Sequence, residues 1–529
     1  MITMIVHTTA YVLRLSGNSR QKRETKMDKS SLILTEGLSP TLGFAVIGGL
    51  GVVMLALALT VRSMIRTTDD YVAAGRRIGL GFGVGSVIAV WTWSVAVLTS
   101  AAVTYTWGIS GLFWFVVPNG LAIMLLAPFA LHLRKKLPAG YTIIQFIKER
   151  FNNPAATAAV LAVIVFTAGM SILLNALGAV IVLNTIYGIQ PLAILLVALV
   201  IITIYSYFGG LWTSAITGTI NTLLLSVPGA IVLLFVLAKV GGPDAIFAKV
   251  HTSGPQFFNL ARGETALNFG IVTALGLLAV AIADQALWQK VWAIKPSHLA
   301  RTFVWAGAWF YPIPITIGLL GFVGVALGVT VPDQIGDPAA VGPFVVSHVG
   351  LPVSLVVLFT LVILNACFSA TDGAFSALTS VVAVDIVRPL WPAMSERTLF
   401  LITRLSIVVA SIVVGIIVLL GLQFVDLLLF MFAVQIAFAV PITLSIFWSR
   451  FTGTAFVLAS TLALLVGLPT RLSAPEPWGT LTIFGISLVV SIVVSLIQKQ
   501  EFDFATLRDR GRARTEKVIA EPTLASSAA

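Results

Sequence analysis

Apolar residues along the chain gather in long unbroken runs instead of alternating with polar ones or marking one stripe of a helix. Thirteen runs fall near 41–62, 80–108, 111–133, 155–186, 190–208, 213–238, 267–289, 301–328, 351–384, 399–420, 423–448, 453–469 and 478–498, most of them about 18–30 residues long. A helix rises ~1.5 Å per residue, so runs of that length cross a hydrocarbon layer of about 30 Å. None shows the roughly ten-residue alternation of a membrane β-barrel. The pattern predicts an all-α integral membrane protein with about 13 transmembrane helices, embedded in a lipid bilayer.

Three runs hold more glycine, hydroxyl and amide groups than contact with lipid tolerates. GSVIAVWTWSVAVLTSAAVTYTWGISG (Gly85 to Gly111) carries Trp91 and Trp93 near mid-span, whereas tryptophans that anchor a helix sit at its ends. This placement predicts a cavity lining, although small residues in the same run also serve helix packing. In YSYFGGLWTSAITGTINTLL, Gly209-Gly210 is a turn signal between one helix and the next. NACFSATDGAFSALTS (Asn365 to Ser380) puts Asp372 within an apolar run. A charge at the bilayer centre costs at least ~2.5–3.5 kcal/mol, so this carboxylate is expected to face protein, water or an ion. Ser369 and Asp372 share a helix face, ~4.5 Å apart along the axis. That face offers oxygens to a hard cation or a proton, or hydroxyls to neighbouring helices.

Only 10% of the 529 residues are charged and 58% are hydrophobic, far from the roughly 25% charged composition of soluble domains. The net charge of +11 would point to nucleic acid in a soluble protein. Here Lys and Arg collect in alternate loops, so the positive-inside rule accounts for it and no nucleic-acid partner is inferred. The basic loops hold Arg62, Arg66, Arg76 and Arg77; then Arg134, Lys135, Lys136, Lys148 and Arg150; then Lys290, Lys295, Arg388, Arg450 and the tail from Lys499 to Lys517. The loops between them hold few basic residues (Lys239, Lys249, Arg262 and Arg471). The expected topology in the cell inner (plasma) membrane has the N-terminus outside and the C-terminus cytoplasmic, as an odd number of crossings requires. Residues 1–38 then form an extracytoplasmic segment, 39–498 the membrane domain and 499–529 a cytoplasmic tail. The first segment fits poorly, because Arg14, Arg20, Lys22, Arg23, Lys26 and Lys29 would lie outside, and Met27 offers an alternative start. The lone Cys367 allows neither an internal disulfide nor a cysteine metal cluster. With no nucleophile–base pair, metal constellation or phosphate loop in the soluble segments, no enzyme activity is expected, and no obligate protein partner is inferred.

DDYVAAGRRIG (Asp69 to Gly79), the YSYFGGL turn, ADQALWQK (Ala283 to Lys290) and the serine-rich helix ending VAVDIVRP (Val382 to Pro389) resemble, in order, the landmarks of the sodium:solute symporter family over about residues 40–450. Within it, WTWSVAVLTSAAVTYTWGISGLFW (Trp91 to Trp114) and DQALWQK look most like the urea active transporter branch. The resemblance implies a LeuT-type core of two inverted five-helix repeats, at about 80–238 and 267–448, each beginning with a discontinuous helix. It also implies a sodium site made by the carbonyls of Ala89, Thr92 and Ala366 and the hydroxyl of Ser369. The chain departs from the family in two places. Ala370 stands at a second hydroxyl position, and Gly218 follows Thr217 where an aspartate is common. Both changes remove oxygen near the ion. Asp372 is expected to restore the negative charge, supporting sodium through water or carrying a proton as the alternative coupling ion.

Sugar-transporting relatives place a Tyr-Trp pair where this chain has Val280 and Ala281, so a sugar is not expected. The expected substrate site offers indoles at Trp91 and Trp93, Tyr105, and polar groups from Asp284 and Gln285, the last two reading equally well as a helix-end cap. Flat aromatic walls with a few hydrogen-bonding groups suit a small, planar, neutral molecule such as urea. The function expected is cation-coupled symport of urea or a similar small solute by alternating access. Two alternatives stay open: symport of proline, a monocarboxylate or a vitamin, and a membrane sensor that no longer transports.

Overall fold

A computed structural model describes residues 38–61, 73–208, 211–331 and 334–507. The expected N-terminal segment, the start of the Asp69–Gly79 landmark, the Gly209-Gly210 turn and most of the tail lie outside them. Among the described residues every regular element is helical, apart from one isolated bridge between Ile78 and Ile294. In chain order the principal helices are α1 (Pro40–Val61), α2 (Leu80–Trp91), α3 (Ser94–Lys136), α4 (Ile143–Phe151), α5 (Pro154–Tyr187), α6 (Pro191–Phe208) and α7 (Leu211–Lys239). They continue as α8 (Ile271–Ala283), α9 (Gln285–Ala293), α10 (Leu299–Phe310), α11 (Val353–Val381), α12 (Glu396–Val418), α13 (Phe424–Phe447), α14 (Gly453–Ser473) and α15 (Glu476–Gln498).

Among the described residues, 11 helices are long and apolar enough to cross a membrane, and the shorter apolar helices Leu80–Trp91 and Pro191–Tyr207 stand beside them. Together they make the expected thirteen crossings, because α3 serves two of them. Its 43 residues would extend ~65 Å as a straight helix, about twice the hydrocarbon thickness. It bends instead at Gly108 (φ 67, ψ −148), so its first part completes the crossing that α2 begins.

Burial sorts the helices into two layers. In α13 and in the segment Val353–Leu390, 72% and 67% of the most apolar stretch is inside the protein, against 28% for Arg397–Val418 and for α15. The first two belong to an inner bundle with α2, α3, α5 and α8; α12 and α15 lie outside it, and their apolar side chains, such as Ile416 and Ile497, face outward where lipid would cover them.

Two residues expected in basic loops are buried instead. Arg150 is only 3% exposed, and its guanidinium donates to the carbonyls of Ser445, Trp448 and Phe451, which end α13 and begin the following turn. Freed carbonyls at a helix end attract a cation, so this arginine is drawn in from the surface. Lys290, at 1% exposed, is carried inward with α9, every residue of which is buried.

The bend at Gly108 sets a test. Its backbone conformation is one that residues with a side chain rarely adopt, and an added Cβ would sit 2.1 Å from the carbonyl oxygen of Phe257. Gly108→Ala should cost ~1–3 kcal/mol and lower the thermal unfolding midpoint in detergent. Gly169→Ala, where nothing lies within 4 Å of an added Cβ, should leave it unchanged or slightly raised.

Candidate functional site: two broken helices around a small cavity

The helix that begins at Leu80 stops at Trp91 and restarts at Ser94, with Thr92 (φ −80, ψ 75) in a tight turn and Trp93 (φ −71, ψ 165) extended between them. An unwound backbone inside a membrane must find its hydrogen bonds within the protein. Here the Ser94 N–H donates to Asn175 Oδ1 at 2.8 Å, the Ser94 hydroxyl donates to the Leu174 carbonyl at 3.1 Å, and the Thr92 hydroxyl folds back onto the Ile88 carbonyl at 2.7 Å. The Trp93 N–H turns to the Trp91 carbonyl and the Ala96 N–H to the Trp93 carbonyl, each at 2.9 Å. Both would have bonded one turn back in a continuous helix. The carbonyls they desert are those of Ala89 and Thr92, two of the three expected around a cation. A second break separates α8 from α9, where Asp284 is extended (φ −98, ψ 109) and the Trp288 indole donates to the freed Ile282 carbonyl at 2.6 Å.

Helix α11 lies against the first break. Its Ser369 hydroxyl approaches the Ala89 carbonyl oxygen at 3.4 Å, and Ala366 stands one turn earlier on the same buried helix. Gly218 of α7 packs on the other side, where a Cβ would lie 3.0 Å from that of Ala89. The two helices thus pack closely where the family commonly has an aspartate. Asp372, 4% exposed, accepts the hydroxyls of Ser206 of α6, at 2.8 Å, and Ser214 of α7. Tyr205 donates to the Phe368 carbonyl at 2.8 Å, tying the same helix end to α11. The ammonium of Lys290 has no hydrogen-bond partner among the described residues, yet lies close enough for the charges of Asp372 and Asp284 to act on it.

A cavity of about 20 Å³, the space open to the centre of a water-sized sphere, adjoins the break. Trp91, Trp93, Phe115, Asn119, Leu277, Val280 and Met431 are among the side chains that line it. Space of that measure holds little more than a water molecule, so only a small solute enters without repacking. Of the expected substrate residues, Trp91 and Trp93 form its wall. Tyr105, Asp284 and Gln285 do not, and their polar groups are engaged elsewhere. Tyr105 donates to the Val329 carbonyl at 2.6 Å. Asp284 caps α9 by accepting the Ala286 N–H at 2.8 Å, because the first turn of a buried helix needs an acceptor. Gln285 accepts the Ile143 N–H at 3.2 Å and donates to the Tyr141 carbonyl at 3.0 Å, holding the segment before α4.

Sequence reasoning missed Asn119, Asn175 and the inward position of Lys290. Asn119 stands in Pro118-Asn119-Gly120, which reads as a turn but lies inside α3. The surviving signal was an amide 28 residues from Trp91 in an otherwise apolar run, and no spacing rule links the two.

Comparison with known proteins meets this geometry. The family model described as "Sodium:solute symporter family" matches residues 71–461. The chain is 21% identical to the urea-proton symporter DUR3 of Oryza sativa subsp. japonica over 500 residues, covering 84% of this chain and 68% of that protein. It is 21% identical to the urea active transporter of Saccharomyces cerevisiae over 377 residues, 65% of this chain but only 51% of that protein's length. The fold matches that of a substrate-bound, outward-open sodium-coupled sialic acid symporter with a TM-score of 0.73 at 19% identity, over 86% of this chain and 97% of that one. All-helical architecture, two broken helices enclosing a buried site, and the family match agree: this is a multi-pass membrane protein with a LeuT-type fold, and the chain belongs to the sodium:solute symporter family.

Proposed function

We propose that the protein couples the downhill movement of a cation to the uptake of a small polar solute, urea, across the plasma membrane, with its basic loops cytoplasmic. The observation that carries this reading is the pair of deserted carbonyls at Ala89 and Thr92, the first of them reached by the Ser369 hydroxyl, beside a cavity walled by Trp91 and Trp93. Unwound carbonyls suit sodium because they bring partial negative charge without titrating. Ala89, Thr92, Ala366 and Ser369 are the proposed ligands. A cation there stiffens the contact between the broken helix and α11, and it shifts the conformational equilibrium only as far as it binds one state better than the other. On the side of the basic loops, contacts tie the segment between α3 and α4 to its neighbours. Arg76 donates to the carbonyls of Gly140, at 3.0 Å, and Ala139, at 3.3 Å, while Gln285 holds Tyr141 and Ile143. Opening toward the cytoplasm requires these contacts to part.

A proton as coupling ion is the second reading, and Asp372 favours it. With Ala370 and Gly218 adding no side-chain oxygen, sodium has few ligands. Asp372 sits between two serine hydroxyls and a buried ammonium and is the carboxylate on the same helix as Ser369. The rice relative's own name couples urea to protons.

Purified protein in liposomes should accumulate radiolabelled urea only under an imposed sodium or proton gradient, and varying the two gradients independently identifies the ion. Equilibration without accumulation would replace the symporter with a passive path. Asp372→Asn should abolish concentrative uptake while sparing solute exchange, because the amide still accepts a serine hydroxyl but cannot cycle charge. Unchanged accumulation with unchanged sodium and pH dependence would reduce Asp372 to a structural hydrogen-bonding residue.

A further inference from the structure

Between α6 and α12 the outer surface carries a groove of about 400 Å³, the space open to the centre of a water-sized sphere. Its rims are exposed aliphatic side chains one turn apart, among them Leu196, Val200 and Ile204 of α6 and Ile412 and Ile416 of α12. Gly415 is part of the lining and supplies no side chain to fill it. The two hydroxyls in the groove, on Thr203 and Ser411, bond each other at 2.9 Å, and Ser411 donates to the Ile407 carbonyl at 3.0 Å, so little is left for a polar solute. From Leu192 to Ile204 the lining of α6 runs ~18 Å, slightly more than one leaflet's share of a hydrocarbon layer of about 30 Å. Arg404 stands at the end nearer the basic loops, one turn before Val408 of the lining. Its guanidinium carbon lies 4.6 Å from the centre of the Tyr207 ring of α6, so it bridges the same two helices. Its Nε is buried with no hydrogen-bond partner among the described residues, and no described carboxylate forms an ion pair with it. Arg397, exposed and two turns nearer the start of α12, follows on the same face.

A hydrocarbon slot that ends at a cation without a counter-ion fits a molecule that is apolar along its length and negative at one end. We propose that the groove holds an anionic phospholipid of the leaflet on the side of the basic loops, with its phosphate on the Arg404 guanidinium and one acyl chain laid between α6 and α12 toward Leu192. Arginine near the start of a membrane helix keeps its stem in hydrocarbon while its head reaches the headgroup level. A guanidinium stacked on an aromatic ring donates from its edge, and its fork of N–H groups matches the oxygens of a phosphate. A zwitterionic lipid brings its own cation toward Arg404 and Arg397, so a headgroup of net negative charge is preferred. An inorganic anion satisfies the arginine and leaves the slot empty of the chain that its walls suit. The site is independent of the ion and the solute assigned above, because none of its residues belongs to either proposed set.

The test uses the full chain in detergent, with dioleoyl phosphatidylglycerol, dioleoyl phosphatidylcholine and glycerol phosphate as probes and bound molecules counted by native mass spectrometry. The wild-type protein should hold phosphatidylglycerol in preference to phosphatidylcholine, and glycerol phosphate, an anion without chains, should not displace it. Arg404→Gln should reduce that preference about fivefold, whereas Arg404→Lys, which keeps the charge, should retain most of it. Gly415→Leu, which fills the slot and spares the arginine, should weaken the binding of both lipids. Phosphatidylglycerol carrying a diazirine at the end of one acyl chain should label the wild-type protein on α6 or α12, toward Leu192 or Leu419, a readout that needs no variant to fold. Equal binding of the two lipids by the wild-type protein overturns the proposal, as does an Arg404→Gln variant with unchanged preference. Displacement of the lipid by glycerol phosphate would reduce the site to one for a free anion. Labelling confined to other helices, the result expected if a second copy of the chain seals the groove, would also overturn it.

Discussion

Everything distinctive about this protein depends on one constraint: a helix that unwinds in a hydrocarbon layer finds no water to receive its backbone groups. The break at Thr92 and Trp93 persists because Asn175 accepts the Ser94 N–H, Leu174 accepts the Ser94 hydroxyl and the Thr92 hydroxyl stays on Ile88. An unmet buried group would cost ~1–3 kcal/mol each. What the neighbours leave unsatisfied is correspondingly meaningful. The Ala89 carbonyl has only a long contact with Ser369, and the Thr92 carbonyl has lost its helical donor, so the same unwinding that threatens stability leaves the two oxygens proposed to hold a cation. Asn175 serves the fold and the site at once, by bonding one side of the break so that the other side is free.

The buried charges follow the same logic one layer away. Asp372 joins α11 to α6 through Ser206 and to α7 through Ser214. A lone carboxylate at that depth would be expensive, and the Lys290 ammonium supplies an opposite charge without a direct hydrogen bond. The arrangement couples three elements: the helix facing the proposed ion, the connection between α6 and α7, and the helix that follows the second break. On the proposed reading, a change in charge at Asp372 would be felt at each of those elements, which would link the ion site to the packing of the helices.

Much of the architecture was legible in the order of residues. Membrane spans announce themselves because hydrocarbon demands long apolar runs, and the thirteen crossings appear where those runs lie. Trp91 and Trp93 were legible as cavity residues because mid-span indoles have no interface to anchor. Asp284 and Gln285 were ambiguous, since an acidic residue and an amide at a helix start are equally a cap and a ligand; in the structure Asp284 accepts the Ala286 N–H, while Gln285 bonds Ile143 and Tyr141. Tyr105 lies on the same helix as Asn119, yet the bend at Gly108 stands between them and turns the tyrosine to Val329.

By itself, then, the sequence determined the membrane class, the number of crossings, the place of the first break and the family resemblance, because each follows from local composition or contiguous motifs. Tertiary structure decided the rest. It decided that Asn119, 28 residues beyond Trp91, is that indole's partner, that Gly218 packs closely on Ala89, and that Lys290 lies inside the bundle and not in a loop. Each is a contact between helices distant in the chain. Hydrophobic patterning tells a helix to cross the bilayer, but which polar group faces which neighbour depends on how crossings rotate and lean against one another. That rotation is set by packing, above all by the small residues that allow close approach.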